Sequence, residues 1–358
     1  MALEITTLNP GEPEPWPSFD HPSSQGIRSS QRAANLYDKG IKFYRKEDLV
    51  NIEKEVSESY IREFFNLPRI DGTVLRMRNP LHGVLKPIWS PIIEFQNYWK
   101  FVRKEPDGPP ETHLCSFRVD WLNQSMQQYE GNIENYEGIF RGKRTAWVDS
   151  KTCAAFKAHT RQLLAKRKVT KIVCFGLGDF VRRPPVWWKI RNAQSDNPIT
   201  EGDHLEGGMM QHWAPITMAE TLRGLADGSS VRLLTQDPKY TAEARAILED
   251  VGFEVVGAFG AGGFAEIDEE TVVISIYTAV PVKQIVADMP RPISIITTPP
   301  GEILNSSERI PADTETPRTR EMWRQYVASD FPAVADDISS ITSLGSLKIF
   351  TRIEDAVS

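Results

Sequence analysis

The stretch Lys171–Trp188, KIVCFGLGDFVRRPPVWW, decides how the rest of the chain is read. KIVCFG is a short continuous apolar run, as expected of a strand covered on both faces. Gly176-Leu177-Gly178 follows at once. Two glycines there let backbone amides approach a phosphate or a ribose, as in nucleotide-binding loops. The full dinucleotide fingerprint needs a third glycine three positions on, and Val181 stands there. Pro184 and Pro185 then occupy the place where a helix should begin. The stretch is read as the first strand and turn of an α/β domain. The turn is either an altered cofactor loop or a plain tight turn.

Downstream the chain alternates strand and helix. MQHWAPITMAETLRGLADG predicts a helix closing on Gly228, with Pro215 in its first turn or at a kink. VRLLTQ predicts the second strand, DPKYTAEARAILEDVG a helix stopped by Gly252, and FEVVGAF the third strand. TVVISIYT, PVKQIVADM and PISIITT predict strand, short helix and strand. This rhythm implies a Rossmann-like, mainly parallel sheet with helices on both faces. REMWRQYVASDF has a helical pattern, GSLKIFTRIED predicts an added edge strand, and NSSERIPADTETPRTR is polar loop.

Upstream, residues 1–30 are rich in Pro, Ser and Gly and read as a flexible arm. Residues 31–150 form a helical and mixed extension packing on the core. Its helical pattern breaks at Gly40 and resumes near Lys46, with an apolar stripe of Leu49, Ile52, Val56, Tyr60 and Phe64. KPIWSPII and HLCSFRVDWL are strand candidates. SKTCAAFKAHTRQLLAKRK is a helix capped by Ser150. Residues 151–358 are then the Rossmann-like domain, with an insertion at 181–209 and a C-terminal edge strand.

The chain has 358 residues and a formal net charge of −6. An acidic balance argues against a general grip on nucleic acid. No apolar run is long enough to span a bilayer. Three widely spaced cysteines, Cys115, Cys153 and Cys174, fit neither a disulfide framework nor a zinc cage, and the expected setting is the cytoplasm or nucleus.

Ligands of an open parallel sheet bind beyond the carboxyl ends of its strands. Gly176 and Gly178 fall there. So does Gln236-Asp237, where Asp237 is either a ribose-binding carboxylate or, with Pro238, the cap of the next helix. Gln211 and His212, expected to open the helix facing the loop, add a polar contact and a candidate acid–base group. Gly257, Gly260, Gly262 and Gly263 make a pliable turn, followed by Glu266 and Asp268. Arg182, Arg183, Trp187 and Trp188 form either a lid over an anionic ligand or a surface loop. No metal-ligand spacing, Gly-x-Ser-x-Gly elbow or complete phosphate loop is present. Cys174, inside a strand, is expected to be packed.

KIVCFGLGDF, QHWAPITMAETL, TQDPKYTAEARAILEDVGFEVV, GFAEIDEETVVIS and PVKQIVADMPRP together resemble the Sensitivity-to-Red-light-Reduced (SRR-like) family, over roughly residues 171–298. NLYDKGIKFYRKEDL resembles the N-terminal segment of fungal members, so the match looks closest to the fungal branch. The resemblance implies a Rossmann-like domain. It links the chain to light signalling and the clock in plants, and to cytoskeletal or haem-related regulation in yeast and animals. The positions it carries over are Gly176, Gly178, Gln211, Asp237, Pro238, Asp268 and Asp288, without catalytic roles. Two functions follow as expectations. One is a regulatory or ligand-binding module that takes a small-molecule or nucleotide ligand or a regulatory protein partner. The other is an accessory enzyme of fungal specialised metabolism with a nucleotide or S-adenosylmethionine type cofactor. The cofactor itself is left open by the sequence.

Overall fold

The computed structural model describes residues 5–8, 22–85, 87–102, 108–123, 131–195, 198–225, 230–276, 278–299 and 313–353. Most of the expected flexible arm, and Gly228, lie outside these residues.

The N-terminal part comprises β1 (Ile5–Leu8), α1 (Pro22–Asp38), α2 (Lys46–Ser57), β2 (Phe64–Pro68), β3 (Val74–Arg78), β4 (Trp89–Phe95), α3 (Tyr98–Val102), β5 (Phe117–Asn123) and α4 (Tyr136–Val148). Then come α5 (Lys151–Leu164), β6 (Lys171–Phe175), α6 (Val186–Ala193), α7 (Glu201–Arg223), β7 (Arg232–Gln236), α8 (Ala242–Asp250), β8 (Glu254–Val255), α9 (Gly262–Ala265), β9 (Thr271–Ser275), α10 (Val282–Asp288) and β10 (Ser294–Thr297). The chain closes with α11 (Pro317–Trp323), β11 (Tyr326–Asp330), α12 (Ser339–Thr342) and β12 (Lys348–Arg352).

The main sheet has seven strands in the order β11-β12-β10-β9-β6-β7-β8. Strands β6 to β10 are mutually parallel, and β12 and β11 add on antiparallel. Taken in chain order, the five parallel strands stand 3-2-1-4-5, the Rossmann order, with the switch point between β6 and β9. The expected fold class is therefore what the chain adopts. The C-terminal strand β12 is not the edge: it pairs with β10 on one side and β11 on the other. The edge is β11, cut from the second half of REMWRQYVASDF, whose helix ends at Trp323.

Each strand alternates between two cores. Ile172, Cys174, Leu233, Val272, Ile274 and Ile296 face a core built with α4, α5, α7 and α8. Val173, Phe175, Leu234, Val273 and Ile295 face the other, and there the N-terminal part is the main cover. Leu49, Ile52 and Val56 of α2, Phe65 and Leu67 of β2, Phe95 of β4, Phe101 of α3 and Phe117 of β5 all sit in it. The crossover helices on this side, α9 and α10, have only four and seven residues, too short to cover the sheet alone. The apolar stripe of α2 ends sooner than its spacing predicts: Tyr60 is 53% exposed and Phe64 opens β2. The strand candidates around Trp89 and Phe117 pair with each other as a two-stranded antiparallel ribbon.

Two carboxylates fasten this layer to the sheet domain. Asp288, at the end of α10, accepts Phe43 N and Tyr44 N through Oδ2, at 2.7 and 3.1 Å, and Arg318 Nη1 through Oδ1, at 2.8 Å. Arg318 also donates to the carbonyls of Tyr37 and Ile41 and lies over the Tyr37 ring. Glu53 of α2 is the second, bound to the turn after β8.

Candidate functional site

At the carboxyl end of β6 the chain turns through Gly176 and Gly178, both at positive φ (+72° and +81°). Their surroundings differ. A Cβ on Gly176 would meet Thr278 Cγ2 at 2.5 Å and the Ile276 carbonyl at 2.7 Å, because the exit of β9 crosses directly against it. A Cβ on Gly178 would meet nothing within 4 Å. Gly176 is thus a packing glycine, and the open side of the turn is at Gly178. Leu177, Phe180 and Val181 anchor the turn from beneath, with Phe180 stacked on Phe140 at 4.2 Å.

Asp179 ties this turn to the next crossover. Its Oδ1 accepts Val181 N at 2.7 Å, and its Oδ2 accepts Thr241 N at 2.6 Å. Thr241 is the N-cap of α8, its side chain accepting Ala244 N. Asp237 and Pro238 therefore do not cap α8, which starts later than the sequence pattern implies. Asp237 instead forms a local turn, Oδ1 accepting Lys239 N at 2.9 Å. It is partly exposed, and its second oxygen has no hydrogen-bond partner among the described residues. Burial of the carboxyl, reinforced by the nearby Asp179 charge, raises its pKa above the ordinary carboxylate value, with the Lys239 amide, Lys239 and Arg245 opposing.

Gln236 fills the space behind Asp237. Its Nε2 donates to the Gly260 carbonyl at 2.8 Å and its Oε1 accepts Gly263 N at 2.6 Å. The glycine turn is therefore held from the end of β7 as well as by Glu53.

His212 does not stand at a helix start. Helix α7 begins at Glu201, capped by the Thr200 hydroxyl on Asp203 N, so Gln211, His212 and Pro215 are all interior. The expected insertion at 181–209 contains α6 and the opening turns of α7, and Trp188 packs on His204 at 4.2 Å. The side chain of Trp187 lies outside the described residues. Pro215 has no N–H, so the Gln211 carbonyl lacks its usual helical donor. Among sequence-proposed contacts, Gln211 is half-buried.

The His212 ring is fully buried among Phe140, Phe180, Tyr240 and Phe253. Its Nδ1 lies 2.8 Å from the Gly208 carbonyl, which assigns the proton to Nδ1 and leaves Nε2 as an acceptor facing Tyr240 Oη at 3.4 Å. Burial pushes its pKa down to about 4. Such a ring is neutral and out of reach of a ligand; it shapes the core beneath the site.

Asp268 is at the other end of the sheet. It precedes β9, pairs with Lys171 Nζ at 2.8 Å at the start of β6, and accepts Thr271 Oγ1 and Glu270 N. With Glu266, Arg232 and Glu254 it belongs to an ion-pair row along the amino-terminal edge. It is not brought together with Gly176, Gly178 and Asp237. A residue just ahead of a parallel strand lies at that strand's amino end, so its linear order alone separates it from the ligand edge.

The arrangement is thus rich in acceptors at the ends of β6 and β7, where Asp179 and Asp237 already take the amides of Val181, Thr241 and Lys239. Hydroxyls and cations suit such an acceptor-lined edge. Sequence reasoning named Asp237 but assigned no role to Asp179 and overlooked Glu53. An Asp directly after Gly-x-Gly is a local turn signal. Nothing local marks Glu53, whose partners lie more than 200 residues away. Among the described residues no three His, Cys, Asp or Glu side chains group as a metal ion would require, and no helix is long and apolar enough to cross a membrane.

Sheet order, switch point and acceptor-lined edge define a Rossmann-like α/β domain. More specifically, residues 152–321 match the SRR1 domain family, so the chain carries an SRR-like domain running from α5 into α11. No curated protein and no solved structure matches the chain.

Proposed function

We propose that this SRR-like protein is a ligand-binding regulatory module whose ligand lies across the ends of β6 and β7, between Gly178 and Asp237. The observation that supports it is Asp237, a partly buried carboxylate with one oxygen unclaimed, one strand over from the open side of the Gly178 turn. A carboxylate at the end of the second strand binds ribose hydroxyls in many Rossmann-like folds. The ligand class is accordingly a hydroxyl-bearing small molecule of nucleoside type. The regulatory part of the reading draws on the SRR-like domain and on His212, which is held neutral in an aromatic cage rather than offered as an acid–base group. Resemblance of residues 35–49 to fungal members supports the fungal branch, and three free, buried cysteines suit a reduced cytoplasmic or nuclear setting.

Thermal unfolding with adenosine, S-adenosylmethionine, NAD and haem tests this. Adenosine or S-adenosylmethionine should raise the Tm of the wild-type chain and leave Asp237→Asn unmoved. Equal shifts in both proteins would remove Asp237 from the site. The alternative, an accessory enzyme of specialised metabolism with a nucleotide or S-adenosylmethionine type cofactor, uses the same edge but needs an acid–base group other than His212. Release of S-adenosylhomocysteine on incubation with fungal small-molecule extracts would favour it.

A further inference from the structure

The glycine turn after β8 has the form of an anion site, and the chain fills it. Phe259 N donates to Glu53 Oε1 at 2.9 Å, and Ala261 N and Gly262 N donate to Oε2 at 2.8 and 3.2 Å. Three amides converge on one carboxylate, and two of them, Phe259 and Ala261, precede α9. Gly257 and Gly260 take φ of +62° and +115°, and a Cβ on Gly262 would stand 2.9 Å from Gly257 Cα. Only glycine allows the turn to close so far. Concave turns of successive amides are a recurrent way to hold phosphate, sulfate or carboxylate groups. Here the far wall is fixed too, because Gln236 binds both Gly260 and Gly263.

We propose that the turn Phe259–Gly262 is an anion-binding site occupied by the chain's own Glu53, which acts as an intramolecular ligand. Two further carboxylates follow the same pattern along this edge. Asp179 takes the Thr241 amide at the start of α8, and Asp313 takes the Lys283 amide at the start of α10, at 2.8 Å. A phosphate arriving at these particular amides meets donors already bonded, with the carboxyl groups of Glu53 and Asp179 in its place. The turn, once emptied, accepts inorganic phosphate, sulfate or a small carboxylate. The consequence that the ligand of this edge places no phosphate on these amides rests on the ligand-site reading above; the occupation of the turn by Glu53 does not.

The test uses the full chain with Glu53→Ala and Glu53→Gln, and inorganic phosphate and acetate as probes. Binding is followed by the amide resonances of Gly260 and Gly262 and by Tm, with sodium chloride at matched ionic strength as the control. Glu53→Ala should be less stable than wild type. It should recover Tm saturably with phosphate or acetate and bind phosphate at least about tenfold more tightly than wild type. Glu53→Gln, which keeps an acceptor and the side-chain packing, should fold and gain weaker binding at the same resonances. Saturable phosphate binding at Gly260 and Gly262 in wild type equal to that of the variants would overturn the proposal. So would folded Glu53→Gln without any gain in binding. Failure of adenosine and S-adenosylmethionine to shift wild type would instead strike the ligand-site reading, leaving the anion result standing.

Discussion

His212, fully buried, and Asp313, partly buried, are titratable groups whose effects on stability run in opposite directions. The unfolded chain protonates a histidine near pH ~6.5, whereas folded His212 does so only near pH 4. Between those values the unfolded state binds more protons. Stability carried by the neutral ring is therefore complete above ~6.5 and is lost as the pH falls toward 4. Asp313 is shifted the other way. Burial raises its carboxyl to about 7, with Lys283 opposing and Glu315 adding to the rise. The folded state then binds the extra proton, and that contribution is present in acid and lost as the pH rises through 7. Urea unfolding at pH 5 and pH 8 should separate them. His212→Phe should shrink the loss of stability on acidification, and Asp313→Asn should shrink the loss on alkalinisation and make the chain more stable at pH 8.

Glycines give a second comparison at this scale. Gly176→Ala combines a left-handed backbone with a collision against Thr278 and Ile276, and should cost about 3 kcal/mol. Gly178→Ala meets only the backbone term, about 1 kcal/mol. Equal losses in chemical denaturation would contradict the packing role given to Gly176. The sequence treats both glycines alike, because the crowding at Gly176 comes from the end of β9, about 100 residues later.

Among the elements, the five parallel strands and the Ser150-capped helix α5 were legible because their signals are local: unbroken apolar runs and a cap that accepts Cys153 N. The long helix α7 was legible only in its second half. The predicted helix begins at Met210, with Pro215 in its first turn or at a kink, yet the helix runs from Glu201 through Gly207, Gly208 and Pro215, with Met209, Met210, Trp213 and Ile216 buried in one core. Packing outweighs propensity there. Thr200→Ala removes the cap that lets this helix begin at Glu201 and should cost about 1 kcal/mol. Amide exchange checks it: protection should fall in residues 201–208 and be retained from Met209 onward. The edge strand β11 escaped notice for the converse reason, since a helical pattern runs without a break from Arg320 into it. The site was half legible. Asp237 and Gly178 could be named from strand ends, while the true positions of His212 and Asp268 depended on where α7 starts and on which end of β9 faces the ligand edge.

At the scale of the whole molecule, one face of the sheet is completed by residues 31–123, so the SRR-like segment alone keeps only short helices such as α9 and α10 over Val173, Phe175, Leu234, Val273 and Ile295. Each large apolar side chain left exposed forfeits roughly 1.5–3 kcal/mol. A chain beginning at residue 151 should therefore fail to give a cooperative thermal transition and should bind hydrophobic dye. A sharp transition near that of the intact chain would show the layer to be dispensable. The Asp288–Arg318 link can be probed without truncation. Asp288→Ala strands the Arg318 charge and the amides of Phe43 and Tyr44, and should lower stability by about 3–5 kcal/mol.

The attachment of that layer also sets a timetable. Glu53 waits for Phe259, 206 positions later; Phe43 waits for Asp288, 245 positions later; Tyr37 waits for Thr316, 279 positions later. During synthesis the first third of the chain leaves the ribosome before the sheet face with which Phe65, Phe95, Phe101 and Phe117 share a core has been made. That face is complete only when nearly the last strand has been made. Contacts so distant along the chain slow folding and prolong the exposure of sticky surface. The yield of the protein in a cell should therefore track the supply of holding chaperones more closely than the stability of the finished fold, and co-expression of such a chaperone checks it.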